Sequence, residues 1–179
     1  SPDGDQGYPG TVRATATYRV TADAVAVELS ATTDATTVVG LTQHSYLNLG
    51  GVGTGTIDDH LLRLRAGRWT PVDATGIPLG HHEDVAGTPF DLRESRRLGD
   101  VLRTPHPQLL DARGIDHNVV LDPAPVAGEV REAAVLDHPP TRTRMTLSTA
   151  RADLVARTFE SVRGLRNPVV VHLYTATAP

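Results

Sequence analysis

Hydrophobic and polar residues alternate along the first two thirds of the chain, a pattern typical of β-strands that place one face on a core. Small or apolar residues alternate with arginine and threonine from Val12 to Val20. After the turn-like Thr-Ala-Asp at residues 21–23, a second alternating run extends from Val25 to Ala31. The two runs predict an antiparallel hairpin with one face on a core and the other in water.

Further short strands are predicted along the chain, separated by turns and by a loop rich in glycine, proline and aspartate over residues 73–91. The sequence has 13 prolines and 16 glycines, residues that favour the turns between the strands of a sandwich or barrel. The pattern therefore predicts an all-β domain. The further runs are Val38–Leu49, Leu61–Ala66, Trp69–Val72, Val119–Leu121, Arg131–Leu136 and Arg142–Thr149.

The C-terminal fifth of the chain departs from this pattern. Apolar spacing between Ala152 and Gly164 favours a short amphipathic helix, and Val169–Tyr174 could form one last strand. Six of the 17 basic residues but two of the 21 acidic residues follow residue 140. Such a basic tail could bind an acidic partner, or it could have a different origin from the rest of the chain. We therefore expect a β-domain over residues 1–149 and a divergent tail over 150–179.

Composition excludes several kinds of chemistry. The 179 residues include no cysteine, and all 17 basic residues are arginine, so disulfides, thiolate catalysis and Schiff-base lysines are absent. A net charge of −4 gives no general footprint for nucleic acid, and no apolar run is long enough to predict a membrane span or a signal peptide. A cytoplasmic location is the default expectation. Because the chain starts at Ser1 and not at methionine, we expect a processed protein or part of a longer one.

Two polar clusters interrupt apolar surroundings. In the first, Gln43–Leu49, a pleated strand would place His44, Tyr46 and Asn48 on one face and Ser45 on the other. Such a face suits a cleft that binds hydroxyl groups, but it could equally be the wet outer face of a strand.

The second cluster is Gly-Ile-Asp-His-Asn at residues 114–118, directly before an apolar strand. Asp116 could be a turn residue that uses its carboxylate locally, which is the default interpretation, or it could be aimed into a site at the strand mouth. His81 and His82 are adjacent and would point apart on a strand, so a metal site is not predicted there.

Five ordered segments resemble the motifs of the aldose 1-epimerases. SPDGDQGYPG at residues 1–10 is similar to their SPDGEEGYPG, and LTQHSYLNL at 41–49 is similar to LTNHSYFNL. WTPVD at 69–73 with the following Ile-Pro resembles YTPVD, VAGTPFDL at 85–92 resembles VAGTPFDF, and GIDHN at 114–118 resembles GYDHN. The resemblance extends over residues 1 to about 149.

This resemblance implies an antiparallel β-sandwich of the galactose mutarotase type, part of which is missing from this chain. It implies interconversion of the α and β anomers of a free aldose such as galactose or glucose, with no cofactor and no metal. In the family the histidine of the HSY motif is the acid, which is His44 here. Ser45 and Tyr46 match positions that line the sugar site, and Asp116 matches an aspartate that accepts hydrogen bonds from sugar hydroxyls. The implied partner is a small aldose, with neither nucleic acid nor membrane.

The chain also departs from the family pattern. No segment matches the C-terminal motif that carries the family's catalytic glutamate, so no residue here inherits the role of base. Motif similarity ends near Thr149, where the charge balance changes. An alternative function is therefore a non-catalytic carbohydrate-binding sandwich that keeps His44, Tyr46 and Asp116 without turnover.

Overall fold

A computed structural model describes residues 1–126, 129–150, 153–158 and 169–174, with side chains described up to residue 150 except that of His44. The chain divides into two compact units. The first contains Ser1–Gln43 together with the last residues from Leu173 on, and the second contains His44–His172. Among the described residues, no helix has both the length and the apolar character that a membrane crossing requires.

The first unit contains the predicted hairpin. Strands β1 (Val12–Val20) and β2 (Val25–Thr33) pair antiparallel, with Ala16 opposite Leu29 and Tyr18 opposite Val27. The expectation that its apolar face lies on a core is wrong for most of its length. Leu29 is buried, but Val20 remains 73% exposed, because two strands alone provide no second layer to cover them.

The opening motif of the first unit is a loop that closes on itself. The Asp3 carboxylate accepts a hydrogen bond of 2.6 Å from the Gly10 amide, and the Gly4 amide donates to the Tyr8 carbonyl at 3.0 Å. Gly4 and Gly7 have φ angles of +79° and +83°, a region that glycine adopts without strain. The aspartate and the glycines of this motif therefore shape a turn.

Further strands and two short helices follow the hairpin. The helices, α1 (Leu98–Leu102) and α2 (Pro107–Ala112), were not predicted from the sequence. The strands are β3 (Thr42–Leu47), β4 (Leu61–Leu64), β5 (Ala66–Trp69), β6 (Glu83–Asp84), β7 (Arg96–Arg97), β8 (Asp116–Leu121), β9 (Arg131–His138), β10 (Thr143–Thr149), β11 (Asp153–Thr158) and β12 (Val169–Tyr174). They form two larger antiparallel sheets, built mainly from residues of the second unit. One has the strand order β10-β9-β4-β7, and the other has the order β3-β12-β11-β8-β5-β6.

Both larger sheets contribute to the core of the second unit. Leu62 and Leu64 come from β4, whereas Val119 comes from β8, and all three are almost fully buried. Trp69 at the end of β5 is 1% exposed and stacks on Phe90 with ring centroids 4.0 Å apart. These antiparallel sheets confirm the prediction of an all-β fold.

The chain changes sheet at Arg65, where a single continuous strand had been expected. The Arg65 amide donates to the Ala133 carbonyl on β9 at 2.9 Å, and its carbonyl accepts from the Asp122 amide at 2.8 Å. One residue therefore bonds to both sheets and separates β4 from β5. The side chains of Arg63 and Arg65 both reach Glu132, at 2.8 and 3.0 Å, and these guanidinium groups lower the pKa of that carboxyl.

The two predictions for the C-terminal region have different outcomes. The helix expected between Ala152 and Gly164 is wrong over its first part, where Asp153–Thr158 forms β11, while residues 159–168 lie outside the description. The backbone of β11 pairs with β8, so sheet hydrogen bonds override the helical spacing of the side chains. The last strand, Val169–Tyr174, is confirmed as β12.

Candidate active site

The first polar cluster lies on β3, the first strand in the order of the six-stranded sheet. His44 is in the middle of this strand, and its side chain lies outside the described residues. Ser45 is half-buried, and Tyr46 is 45% exposed. Both residues of this strand are thus at least partly open to solvent.

Asn48 does not continue the face that the sequence pattern suggested. It lies beyond the end of β3, where its side-chain oxygen accepts from the Gly50 amide at 2.9 Å and its amide nitrogen donates to the Gly55 carbonyl at 3.4 Å. The amide of Asn48 therefore closes the turn after the strand. Polar side chains of this kind are favoured in turns because they satisfy nearby backbone groups.

Asp116 is the first residue of β8, directly after the buried Ile115. It is half-buried and lies at the strand mouth, opposite Arg157 in the backbone register with β11. The sheet order places β11 and β12 between β8 and β3, a separation of roughly 14 Å at the usual strand spacing. One sheet therefore carries both Asp116 and the His44 segment, on strands that are not adjacent.

A buried polar network fixes the residue next to Asp116. His117 is 1% exposed, and its Nε2 lies 3.1 Å from Oε1 of Gln108 on α2. The same Oε1 accepts from the Val72 amide at 2.9 Å, and Nε2 of Gln108 donates to the Val72 carbonyl at 2.7 Å. Gln108 thus joins the TPVD segment to the GIDHN segment.

The hydrogen bonds in this network determine the state of the imidazole. The Asp116 amide donates to Nδ1 of His117 at 3.2 Å, so the ring proton is on Nε2, which donates to Gln108. Burial lowers the pKa of His117 to about 4, and the nearby Asp116 carboxylate opposes this shift. The ring is therefore neutral near pH 7 and acts as a structural support behind Asp116.

Gln108 was not identified from the sequence. It lies in a six-residue helix with no periodic pattern, and its partners are 36 and nine residues away. Its only local signal is Pro107 at the helix start, which marks a helix N-terminus but gives no role to the next residue.

A second polar row starts from Asn118, which shares a face of β8 with Asp116 because alternate residues of a strand point the same way. Its amide nitrogen donates to Oγ1 of Thr70 at 3.0 Å, and that hydroxyl lies 3.0 Å from Nδ1 of His82. The Asn118 Oδ1 atom is buried and has no hydrogen-bond partner within the described part of the chain. The row therefore offers an acceptor beside Asp116.

We expect acid to destabilise the second unit through His117. Between the unfolded pKa of about 6.5 and the folded pKa of about 4, the unfolded chain binds a proton that the folded chain does not. The free energy of unfolding should therefore fall by up to about 3 kcal/mol as the pH decreases through this range. Urea unfolding at a series of pH values measures this change.

His117→Leu should reduce that pH dependence to the part that the buried His60 contributes, although the variant is less stable at pH 7. The matched control is His81→Gln in an exposed loop, which should leave the slope unchanged. A wild-type stability that is constant from pH 7 to pH 4 would contradict the assignment of a buried, neutral His117.

No group of three or more histidine, cysteine, aspartate or glutamate side chains suited to a metal ion occurs among the described residues. His81 and His82 are exposed. His60 and His138 are instead buried and stack on each other.

The family model for aldose 1-epimerase matches residues 1–162. The chain belongs to the aldose 1-epimerase family. The match extends beyond Thr149, where the recognised motifs end, and it includes β11. The proposed domain boundary at residue 149 stays a prediction.

Curated relatives of this aldose 1-epimerase family member include two named enzymes. The galactose mutarotase of Sus scrofa is 42% identical over 121 residues, which cover 68% of this chain and 34% of that protein. The aldose 1-epimerase of Escherichia coli K12 is 37% identical over 122 residues, covering 68% of this chain and 35% of that protein. The chain therefore spans about a third of the length of these relatives.

A solved relative matches nearly all of this chain. The galactose 1-epimerase from Lactobacillus acidophilus NCFM superimposes with a TM-score of 0.80 at 26% identity. The superposition covers 97% of this chain and 52% of that protein. This similarity confirms a fold of the galactose epimerase type.

Proposed function

We propose that this chain interconverts the α and β anomers of a free aldose, galactose or glucose, by acid–base opening of the sugar ring. The observation that carries the proposal is the family match over residues 1–162, a span that contains both His44 and Asp116. The relatives' names supply the substrate class.

The proposed reaction needs one acid and one base. The His44 imidazolium donates a proton to the ring oxygen, and the proton of the anomeric hydroxyl passes to water, because no residue of this chain matches the family's catalytic glutamate. Without that glutamate the reaction is expected to be slower. The bond between C1 and the ring oxygen breaks, and an open-chain aldehyde with a new hydroxyl forms. Rotation about C1–C2 and reversal of both proton transfers give either anomer. An imidazole suits the acid role because its ordinary pKa of about 6.5 allows it to lose and regain a proton near neutrality.

The other groups in the proposal hold the sugar. The Asp116 carboxylate would accept hydrogen bonds from sugar hydroxyls, and Ser45 and Tyr46 would line the site. The buried Oδ1 of Asn118 on the same face of β8 supports this arrangement, because it is an acceptor without a partner among the residues whose side chains are described. Charge-assisted bonds to a carboxylate are among the stronger hydrogen bonds, so Asp116 should supply much of the affinity.

Polarimetry of freshly dissolved α-D-galactose tests the proposal. The chain should accelerate the relaxation to anomeric equilibrium in proportion to its concentration. Asp116→Asn should weaken sugar binding roughly 10- to 100-fold, because one charge-assisted hydrogen bond is replaced by a weaker neutral one. The effect should appear mainly as a higher KM.

Asp111→Asn on α2 is a matched control, since it removes an exposed carboxylate of the same unit. It should leave KM unchanged. If folded chain binds galactose saturably without accelerating the relaxation, the proposed turnover is wrong and the carbohydrate-binding alternative is favoured. If it does neither, both proposals fail.

A further inference from the structure

His60 is a buried histidine in the second unit that the proposed reaction does not use. It precedes β4, is 0% exposed, and makes two side-chain hydrogen bonds. The Leu49 amide donates to its Nε2 at 2.9 Å, and its Nδ1 lies 3.1 Å from the Ile57 carbonyl. Because Nε2 is an acceptor, the ring proton is on Nδ1 and donates to Ile57.

The carbonyl of the same Leu49 is held from the other side. Oγ1 of Thr141 donates to it at 3.1 Å and lies 2.8 Å from Nδ1 of His138. The imidazoles of His60 and His138 stack with centroids 4.5 Å apart and planes inclined by 29°. The amide of Leu49 is thus bonded to His60, and its carbonyl is bonded to Thr141, which in turn contacts His138.

Leu49 follows the end of β3 by two residues, in the same segment as His44. The space around this strand exit is tightly filled. A Cβ atom added to Gly50 would lie 2.7 Å from Oγ1 of Thr54 and 3.2 Å from Cε1 of His138. The exit has little freedom to move without displacing the histidine pair.

The charged groups near His60 are themselves engaged. The carboxylate of Asp59 lies 2.7 Å from the guanidinium of Arg97, and Asp58 is paired with Arg103. Burial and the neighbouring His138 lower the pKa of His60, which agrees with a neutral ring that accepts the Leu49 amide.

We propose that His60, His138 and Thr141 form a clamp on Leu49 that positions the exit of β3 and thereby the His44 segment. His60 is then a positioning residue for the proposed epimerase reaction, through the strand that carries the acid. This role rests on the proposed function for its catalytic consequence, but the position of β3 can be measured without any sugar.

The test uses the ¹⁵N-labelled full chain. In His60→Leu, the exchange rate of the Leu49 amide should rise roughly tenfold, the factor that loss of one hydrogen bond gives. The amide resonances of residues 44–46 should shift as well. His60→Gln keeps an acceptor near the place of Nε2 and should restore both readouts. Thr141→Val removes the bond to the Leu49 carbonyl on an exposed turn, and should shift the same resonances even if the His60 variants fold poorly.

Leu64→Ala is the matched control, because it weakens the core at the far end of β4, four residues from His60, and leaves the side chains that bond to Leu49 in place. The clamp is overturned if His60→Leu and Thr141→Val leave the resonances of residues 44–46 unchanged, or if Leu64→Ala shifts them equally. With galactose as substrate, His60→Leu should lower kcat with little change in KM. An unchanged kcat alongside shifted resonances would overturn the positioning role, whereas an inactive wild type would overturn the proposed function and leave the resonance test decisive for the clamp.

Discussion

Replacing His44 with glutamine is expected to lower kcat for galactose mutarotation by ~10²–10⁴, the usual contribution of a general acid. Glutamine can still form a hydrogen bond from a similar position, but it cannot donate a proton to the ring oxygen and regain it. KM should change little, since the proposed sugar-holding groups are elsewhere on β3 and β8. Polarimetry over a range of galactose concentrations separates kcat from KM.

His81→Gln provides the matched control for this prediction, because it makes the same replacement in an exposed loop. It should retain wild-type kcat. Circular dichroism should show that both variants keep their strands. Full activity in folded His44→Gln would exclude His44 as the acid and remove the main chemical element of the proposed mechanism.

Gln108→Leu is expected to lower the free energy of unfolding by about 3–5 kcal/mol, a large change for a position outside the motifs. The leucine leaves three groups without partners: Nε2 of His117 and both backbone polar groups of Val72. An unsatisfied buried polar group costs about 1–3 kcal/mol. Urea denaturation followed by circular dichroism at pH 7 measures the loss.

Leu110→Ala on the same short helix is the control, since Leu110 is largely exposed. It should change the stability by less than about 1 kcal/mol. If Gln108→Leu is as stable as wild type, the network does not support the region of Asp116. Gln108→Leu should also raise KM for galactose. His117 accepts the Asp116 amide and would no longer be held by Gln108.

Most of the strands could be predicted from the sequence because their residues alternate in a simple way. The pairing of β1 with β2 was predicted, and so were the bounds of the last strand, β12. The change of sheet at Arg65 could not be predicted, because it depends on hydrogen bonds to Ala133 and Asp122 that are distant in sequence.

Long-range contacts also explain why the site was only partly predictable. The resemblance pointed to His44 and Asp116 through local motifs, but Gln108 and His60 have roles that come from partners on other elements. In β11, pairing with β8 overrides a helical spacing of apolar side chains. The alternation of apolar and polar residues indicates which face of a strand a residue occupies. It does not indicate which other element that face contacts, and the roles of Gln108 and His60 depend on those contacts.

The burial of Trp69 provides a spectroscopic reporter within the second unit. It is the only tryptophan of the sequence, and its indole is stacked on Phe90 in the core. Emission excited at wavelengths that tyrosine does not absorb therefore comes from this one position. A shift of this emission to longer wavelength should therefore mark the entry of water into the core of the second unit.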